Sequence, residues 1–266
     1  MARAERNSSS GSATAPSLSV VVPVHDEAEN LESLIDEIEA ALEGQDFEMV
    51  YVDDGSGDST GERLTALAGS HPRLHPVHHD TCRGQSTAIA SGVAAARAPL
   101  IATLDGDGQN DPADIPALMQ AHGAADDRDR LLVTGQRAKR QDTALKRLSS
   151  RIANGVRGRL LGDDTPDTGC GLKVFARDAF LGLPHFDHMH RFLPALFLRQ
   201  GGRVISIPVN HRPRIRGTSK YGLFDRLWTG IIDLFGVMWL QRRRLHIADE
   251  AASTDETAKN DEVDKR

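Results

Sequence analysis

Two aspartates separated by one glycine have the clearest chemical potential in this chain. Asp105 and Asp107 follow an apolar run, in the sequence Asp105-Gly106-Asp107-Gly108-Gln109. Carboxylates at this spacing can hold a hard divalent cation while the cation binds a diphosphate. A calcium loop is excluded, because it needs Gly and Glu where this chain has Asn110 and Pro116. A solvated acidic turn is the remaining alternative.

A second acidic turn, Asp53-Asp54-Gly55-Ser56-Gly57, is placed to contact a nucleoside. It is not a dinucleotide fingerprint, because the glycine after Gly57 is Gly61 and the required G-x-G-x-x-G spacing is absent. An aspartate at the end of a parallel strand can accept a hydrogen bond from a base or ribose. The alternative is a helix cap by Asp58 or Ser59, and the two roles are compatible.

Two basic segments, Arg137 to Arg151 and Arg203 to Arg226, predict one anion-binding surface. In the second segment, basic residues surround Gly217-Thr218-Ser219, a loop that can present guanidinium groups to phosphate. The alternative is that the two basic segments are solvated surface and bind no anion. The basic residues around the loop are Arg212, Arg214, Arg216 and Lys220.

Histidine and cysteine do not form a familiar metal site. His185, His188 and His190 lie close in sequence, but no cysteine or carboxylate pattern completes a zinc site with them. Cys82 and Cys170 are too few for a disulfide scaffold, which indicates a reducing, cytosolic setting. Nothing near Cys170 marks it as a nucleophile.

The elements that must position these residues alternate between strands and helices. This alternation predicts an α/β fold, with a mostly parallel sheet covered by helices on both faces. Both acidic turns then fall at the carboxyl ends of strands, where such sheets bind ligands. The predicted strands are 18–24, 47–52, 74–78, 99–104, 131–135, 172–175 and 204–209; helices are predicted near 31–42, 61–68 and 84–96 and within 180–200.

Composition limits the remaining possibilities. The chain has 266 residues and a net charge of -6, which argues against a nucleic-acid binder held by positive charge. We expect a disordered leader at 1–17, a catalytic domain at 18–220, amphipathic helices at 221–247 and an acidic disordered tail at 248–266. The apolar stretch Leu223 to Leu240 is too short to span a bilayer and suits a membrane interface. A core helix or a dimer contact is the alternative, and the oligomeric state stays open.

These motifs together resemble family 2 glycosyltransferases of the GT-A fold, and among them the dolichol-phosphate mannose synthase type. The similarity covers about 17–244. It rests on four segments in the family's order: Val21-Val22-Pro23-Val24-His25-Asp26-Glu27, Val52-Asp53-Asp54-Gly55-Ser56, Asp105-Gly106-Asp107-Gly108-Gln109 and Arg216-Gly217-Thr218-Ser219-Lys220-Tyr221. The departures are Asp26 where Asn is commoner and Gly106 where Ala is commoner.

The resemblance implies inverting transfer of a sugar from a nucleotide-diphosphate sugar to a polyprenyl phosphate. It implies catalytic roles for Asp107 and Arg216 and a Mg²⁺ or Mn²⁺ ion at Asp105, Asp107 and Gln109. The donor nucleotide would contact Pro23, His25, Glu27, Asp54 and Asp105. The acceptor phosphate would be bound by Arg137, Arg147, Ser150, Arg151, Arg216 and Lys220, with Arg147 and Arg151 as equal candidates for one position.

A phosphate acceptor also has independent support. A hydroxyl acceptor needs a carboxylate base, whereas a phosphate monoester is already anionic near neutral pH. The segment Met189 to Gly202, where such a base is expected, contains no Asp or Glu but does contain Arg191 and Arg199. The alternatives are transfer to a saccharide or protein hydroxyl, and a non-catalytic nucleotide-sugar sensor. We expect a cytoplasmic protein bound peripherally to the cytoplasmic face of the inner membrane.

Overall fold

One seven-stranded sheet forms the centre of the protein. The computed structural model describes residues 15–137, 155, 157–213 and 223–243. The strands are β1 (Leu18–Val24), β2 (Phe47–Asp53), β3 (Leu74–His78), β4 (Leu100–Thr103), β5 (Leu131–Arg137), β6 (Lys173–Ala176) and β7 (Arg203–Val209). Their order across the sheet is β3-β2-β1-β4-β6-β5-β7.

The sheet is mostly parallel, which confirms the prediction. Only β6 runs antiparallel to its neighbours, β4 and β5. Because of this reversal, β6 begins at the edge where the parallel strands end. Its first residue, Lys173, lies opposite Thr103 and Thr134 in the sheet register. Hydrophobic patterning did not predict the reversal, because strand direction is set by connections and not by local sequence.

Helices cover both faces of the sheet, as expected for an α/β fold. The helix predicted within 180–200 is present at Leu193–Arg199, where Pro194 suits the first turn. The short helix at Arg177–Leu181 was not predicted. The helix at 115–123 was not predicted. The helices are α1 (Leu31–Ala41), α2 (Thr60–Ala68), α3 (Gln85–Ala95), α4 (Ile115–Gly123), α5 (157–161), α6 (Arg177–Leu181), α7 (Leu193–Arg199) and α8 (Leu223–Arg242).

The alternation of side chains in β1 shows how the layers form. Val20 and Val22 pack with α1, α2 and α4, whereas Val21 packs with α3, α6 and α7 on the opposite face. The α3 helix lies very close to the sheet, because a Cβ on Gly92 would lie 2.5 Å from Val21 Cγ1. This close approach fixes the start of α3 relative to the ends of β1 and β2.

The α8 helix has one packed face and one open apolar face. Val237 is buried, and Arg199 Nε donates a hydrogen bond to the Leu240 carbonyl over 3.0 Å. On the other face, Ile232, Phe235 and Trp239 are 67%, 62% and 61% exposed. The helix therefore combines core packing with an exposed apolar surface. In the described part of the chain, no helix has the length and apolarity needed to cross a membrane.

The ordered body begins slightly before its predicted start. Ser17 donates from its backbone N–H to the Asp46 carbonyl over 3.0 Å, so the expected disordered leader does not extend to residue 17. The predicted leader at 1–14 and the acidic tail at 248–266 lie outside the described residues.

Candidate active site

The two acidic turns meet at the edge where the parallel strands end. Because β1 lies between β2 and β4, successive connections leave it in opposite directions and open a crevice there. Asp54, directly after β2, donates from its backbone N–H to the Val24 carbonyl over 2.9 Å. Gly106, in the turn after β4, packs on the same residue, since a Cβ there would lie 2.5 Å from Val24 Cγ1.

The Asp54 carboxylate organises the start of α3. One oxygen accepts hydrogen bonds from His79 Nδ1 (2.8 Å) and the Arg83 backbone N–H (2.9 Å). The other accepts from the Gly84 backbone N–H (2.8 Å) and the Cys82 thiol (3.4 Å). Burial alone would raise the pKa of Asp54, but these hydrogen bonds outweigh it and lower the pKa. Asp54 thus has a positioning role, and its contact with a nucleoside remains a prediction.

The other predicted nucleotide-binding residues surround the same strand ends. His25 Nδ1 lies 2.9 Å from the Asp54 carbonyl. Glu27 accepts a hydrogen bond from Asn30 Nδ2 over 2.6 Å, and Pro23 lines the pocket described below. The structure thus brings Pro23, His25, Glu27 and Asp54 together, while their contact with a donor remains a prediction.

The predicted capping role belongs to Asp58. Its Oδ1 accepts a hydrogen bond from the Thr60 backbone N–H over 2.9 Å at the start of α2. Ser59 makes no side-chain hydrogen bond to the helix start.

The Asp105-to-Gln109 turn holds two carboxylates close together. Gln85 Nε2 donates to Asp105 Oδ1 over 2.8 Å, and the Gln109 backbone N–H donates to Asp107 Oδ1 over 3.1 Å. Burial, together with repulsion from Asp107, raises the pKa of Asp105 from 3.8 to about 6. Gly171 lies against this carboxylate, because a Cβ there would lie 2.1 Å from Asp105 Oδ2. Any larger residue at position 171 would displace Asp105.

These groups fit a divalent metal ion. Two repelling carboxylates, one with a raised pKa, form a pair whose charge a hard cation would compensate. Gln109 supplies an amide close by, although its Nε2 faces the Arg212 carbonyl at 3.5 Å. Asp105, Asp107 and Gln109 therefore have the oxygen donors that Mg²⁺ or Mn²⁺ prefers.

A pocket of about 210 Å³ adjoins Asp105. Sequence reasoning assigned no site role to three basic residues in its wall, Lys173, His190 and Arg191. Lys173 is 4% exposed, burial lowers its pKa, and its Nζ donates to the Cys170 carbonyl. A lysine in the otherwise apolar predicted strand 172–175 is the sequence signal that could have identified Lys173 as a site residue. His190 and Arg191 come from the short 3-10 helix Met189–Arg191, and no local sequence pattern reveals their position.

Only part of the predicted phosphate-binding surface can be located. Arg137 forms a bidentate ion pair with Asp167, with both nitrogen–oxygen distances at 2.6 Å. Its guanidinium thus has a partner within the protein, and its contact with an acceptor phosphate remains a prediction. Arg147, Ser150, Arg151, Arg216 and Lys220 lie outside the described residues.

The three clustered histidines point to different partners. His185 Nε2 lies 3.3 Å from the Phe180 carbonyl, His188 Nδ1 lies 3.1 Å from Asp233, and His190 Nδ1 lies 2.7 Å from Ser86 Oγ. Within the described region, their side chains do not converge on one point. Cys170 is fully buried, and burial raises the pKa of its thiol, as expected for a structural cysteine.

The pKa of Asp105 predicts how metal-free stability depends on pH. The folded protein binds more protons than the unfolded chain between pH 3.8 and about 6, so stability falls as pH rises through this window. We expect Asp105→Asn to raise the free energy of unfolding by about 3 kcal/mol above this window and to have little effect below it. The measurement is urea unfolding in a chelator across this pH range.

The exposed Asp46 provides the matched control. Asp46→Asn should unfold like the wild type at every pH. A less stable Asp105→Asn protein above pH 6 would show that the Asp105 carboxylate is stabilised in the metal-free fold, contrary to this account.

Sequence comparison identifies relatives along most of the chain. It is 35% identical over 231 residues to dodecaprenyl-phosphate galacturonate synthase of Rhizobium johnstonii, covering 85% of this chain and 67% of that protein. It is 36% identical over 211 residues to undecaprenyl-phosphate 4-deoxy-4-formamido-L-arabinose transferase of Edwardsiella ictaluri, covering 77% and 63%. The chain thus spans about two thirds of the length of these curated relatives.

Solved structures show the same fold at low sequence identity. Mannosyl-3-phosphoglycerate synthase from Rubrobacter xylanophilus matches with a TM-score of 0.63 and 16% identity, covering 88% of this chain and 77% of that one. Glucosyl-3-phosphoglycerate synthase from Mycobacterium tuberculosis, in complex with Mg²⁺ and uridine diphosphate, matches with a TM-score of 0.62 and 18% identity, covering 85% and 79%. These similarities confirm the GT-A fold. Residues 19–182 match the family model for glycosyl transferase family 2, and the chain belongs to that family.

Proposed function

We propose that this protein transfers a sugar from a nucleotide-diphosphate sugar to a polyprenyl phosphate, with inversion at the anomeric carbon. The names of its relatives support this acceptor, since they refer to dodecaprenyl and undecaprenyl phosphate. Structural neighbours were crystallised with uridine diphosphate and Mg²⁺ or Mn²⁺, which supports a nucleotide donor and a divalent metal.

The observation that carries the proposal is the charge of the pocket beside Asp105. Among its described wall residues, Asp105 is the one carboxylate, whereas Lys173 and Arg191 are cations and His190 is a neutral imidazole. A hydroxyl acceptor would need a general base, and Asp105 is already assigned to the metal. A phosphate acceptor needs no base and is attracted by the positive charge. The pocket therefore favours phosphate over a saccharide or protein hydroxyl.

The proposed reaction is a single displacement. A phosphate oxygen of the acceptor attacks the anomeric carbon, the bond from that carbon to the diphosphate oxygen breaks, and the nucleoside diphosphate leaves. Asp105, Asp107 and Gln109 would hold a divalent metal, which stabilises negative charge on the departing diphosphate. Gln85 orients the Asp105 carboxylate, and Gly171 leaves room for it. No side chain has to remove a proton from the acceptor.

The exposed face of α8 supports peripheral binding to the cytoplasmic face of a membrane. Ile232, Phe235 and Trp239 are spaced by three and four residues and share one side of the helix. The Arg243 guanidinium lies 5.8 Å from the Trp239 ring centroid. An apolar stripe with arginine and tryptophan at its end suits the boundary between lipid headgroups and acyl chains. This location would bring the protein to a lipid-linked acceptor.

Asp107→Asn is expected to reduce transfer about a hundredfold or more, because it removes one of the two carboxylates that hold the metal. The measurement is product mass spectrometry with a short polyprenyl phosphate, Mn²⁺ and a panel of nucleotide sugars that includes galacturonate and 4-deoxy-4-formamido-arabinose donors. Asp46→Asn should retain wild-type turnover. Transfer to soluble saccharides but not to lipid phosphate would favour the hydroxyl-acceptor alternative.

Combined replacement of Ile232, Phe235 and Trp239 by serine is expected to weaken vesicle binding about tenfold or more, since it removes apolar area from the exposed face of α8. The measurement is cosedimentation with vesicles that contain anionic phospholipid. Leu181→Ser removes an exposed leucine on α6 and serves as the control. Unchanged binding by the triple variant would place the membrane contact elsewhere.

A further inference from the structure

The pocket wall contains a histidine whose protonation is fixed by its neighbour. Ser86 is 3% exposed, and its Oγ accepts a hydrogen bond from the His190 backbone N–H over 3.3 Å. The same oxygen lies 2.7 Å from His190 Nδ1. The serine proton has no other acceptor among the described residues, so the hydroxyl donates it to Nδ1. His190 is then neutral, with its remaining proton on Nε2.

The charge around His190 keeps it in this neutral form. Burial, followed by repulsion from Arg191 and Lys173, lowers its pKa to about 3. The Nε2–H group makes no hydrogen bond to any other residue that the structure describes, and His190 lines the pocket that contains Asp105. His190 therefore presents a donor, and no acceptor, to whatever occupies the pocket.

Arg191 contributes a second donor group to the same wall. Elsewhere in the crevice, arginines have carboxylate partners: Arg137 pairs with Asp167, and Arg212 pairs with Asp111 over 2.7 Å. Within the described ranges, the Arg191 guanidinium forms no hydrogen bond or ion pair. Its own segment, 189–202, contains no acidic residue that could pair with it. A permanent positive charge thus lines the pocket with no carboxylate bonded to it among the described residues.

These two side chains define the chemistry of their ligand. Both donate hydrogen bonds and neither accepts, so the matching group has several acceptor oxygens and negative charge. Sugar hydroxyls would not compensate the guanidinium charge. A phosphate group meets both requirements. Lys173 adds charge to the same pocket but is more deeply buried, and one of its three N–H donors is bonded to the Cys170 carbonyl.

We propose that His190 and Arg191 form the binding subsite for the phosphate group of the acceptor. The proposal rests on the proposed function, and it assigns binding roles to two residues outside the basic segments 137–151 and 203–226. His190 Nε2–H donates one hydrogen bond to a phosphate oxygen. Arg191 supplies the counter-charge and a planar pair of donors. The donor diphosphate is the other source of the same chemistry, and the experiment below separates the two.

Variants at position 190 separate ligand binding from structure. In His190→Asn, the amide oxygen can accept the Ser86 hydrogen bond at the place of Nδ1, but no donor reaches into the pocket. In His190→Gln, the longer amide restores a donor near the position of Nε2. Arg191→Gln removes the charge, and Arg191→Lys keeps the charge without the planar fork. Arg130→Gln, at an exposed site, is the control for loss of one positive charge.

The experiment is calorimetric titration of the full chain with two probes. Farnesyl phosphate is titrated into protein saturated with uridine diphosphate and Mn²⁺, and uridine diphosphate with Mn²⁺ is titrated separately. We expect Arg191→Gln to weaken farnesyl phosphate binding about tenfold or more, and His190→Asn about fivefold, with nucleotide affinity unchanged. His190→Gln and Arg191→Lys should recover part of the loss, and Arg130→Gln should bind both probes like the wild type.

Other outcomes overturn the proposal in distinguishable ways. Weaker nucleotide binding with unchanged farnesyl phosphate binding would assign the subsite to the donor diphosphate. Equal loss in His190→Asn and His190→Gln, for both probes, would show a purely structural role. Wild-type protein that does not prefer farnesyl phosphate to farnesol would contradict the proposed function itself, and the subsite with it.

Discussion

The site depends on the hydrogen bonds that the Asp54 carboxylate accepts at the end of β2. Two of them come from the backbone N–H groups of Arg83 and Gly84, immediately before α3 begins. The first two residues of that helix then reach in different directions: Gln85 bonds Asp105, and Ser86 bonds His190. The buried Asp54 carboxylate therefore positions the start of α3. Through Gln85 and Ser86, this helix aligns the Asp105-to-Gln109 turn with His190 in the pocket wall.

Charge compensation explains why the crevice is arranged as it is. Two carboxylates stand close together after β4, and burial, together with repulsion from Asp107, raises the pKa of Asp105. Nearby positive groups are divided between those with internal partners, such as Arg137, and those that line the pocket, such as Arg191. Without a metal, the crevice thus has unbalanced charge at two places. A divalent metal with a donor diphosphate would balance the two carboxylates, and an acceptor phosphate would balance the Arg191 guanidinium.

The pocket wall and α8 are connected through the segment before α7. His188 Nδ1 lies 3.1 Å from Asp233 of α8, and His190 and Arg191 follow within three residues. Arg199, at the end of α7, bonds the Leu240 carbonyl. The helix proposed to lie on the membrane is therefore packed against the segment proposed to bind the acceptor phosphate. This arrangement is consistent with an acceptor whose reactive group is attached to a lipid.

The sequence alone determined the fold class, most strand positions and the place of the two acidic turns at strand ends. Long apolar runs and glycine-rich acidic turns are local features, and their chemistry is visible without tertiary structure. It did not determine the direction of β6, the short helix at 177–181, the ion pair of Arg137 with Asp167, or the hydrogen bonds that Asp54 accepts before α3. Strand direction and partner choice depend on contacts between residues distant in the chain. His190 and Arg191 acquired their significance only in the folded protein. Ser86, more than a hundred residues earlier, contacts His190, and both residues line the pocket beside Asp105.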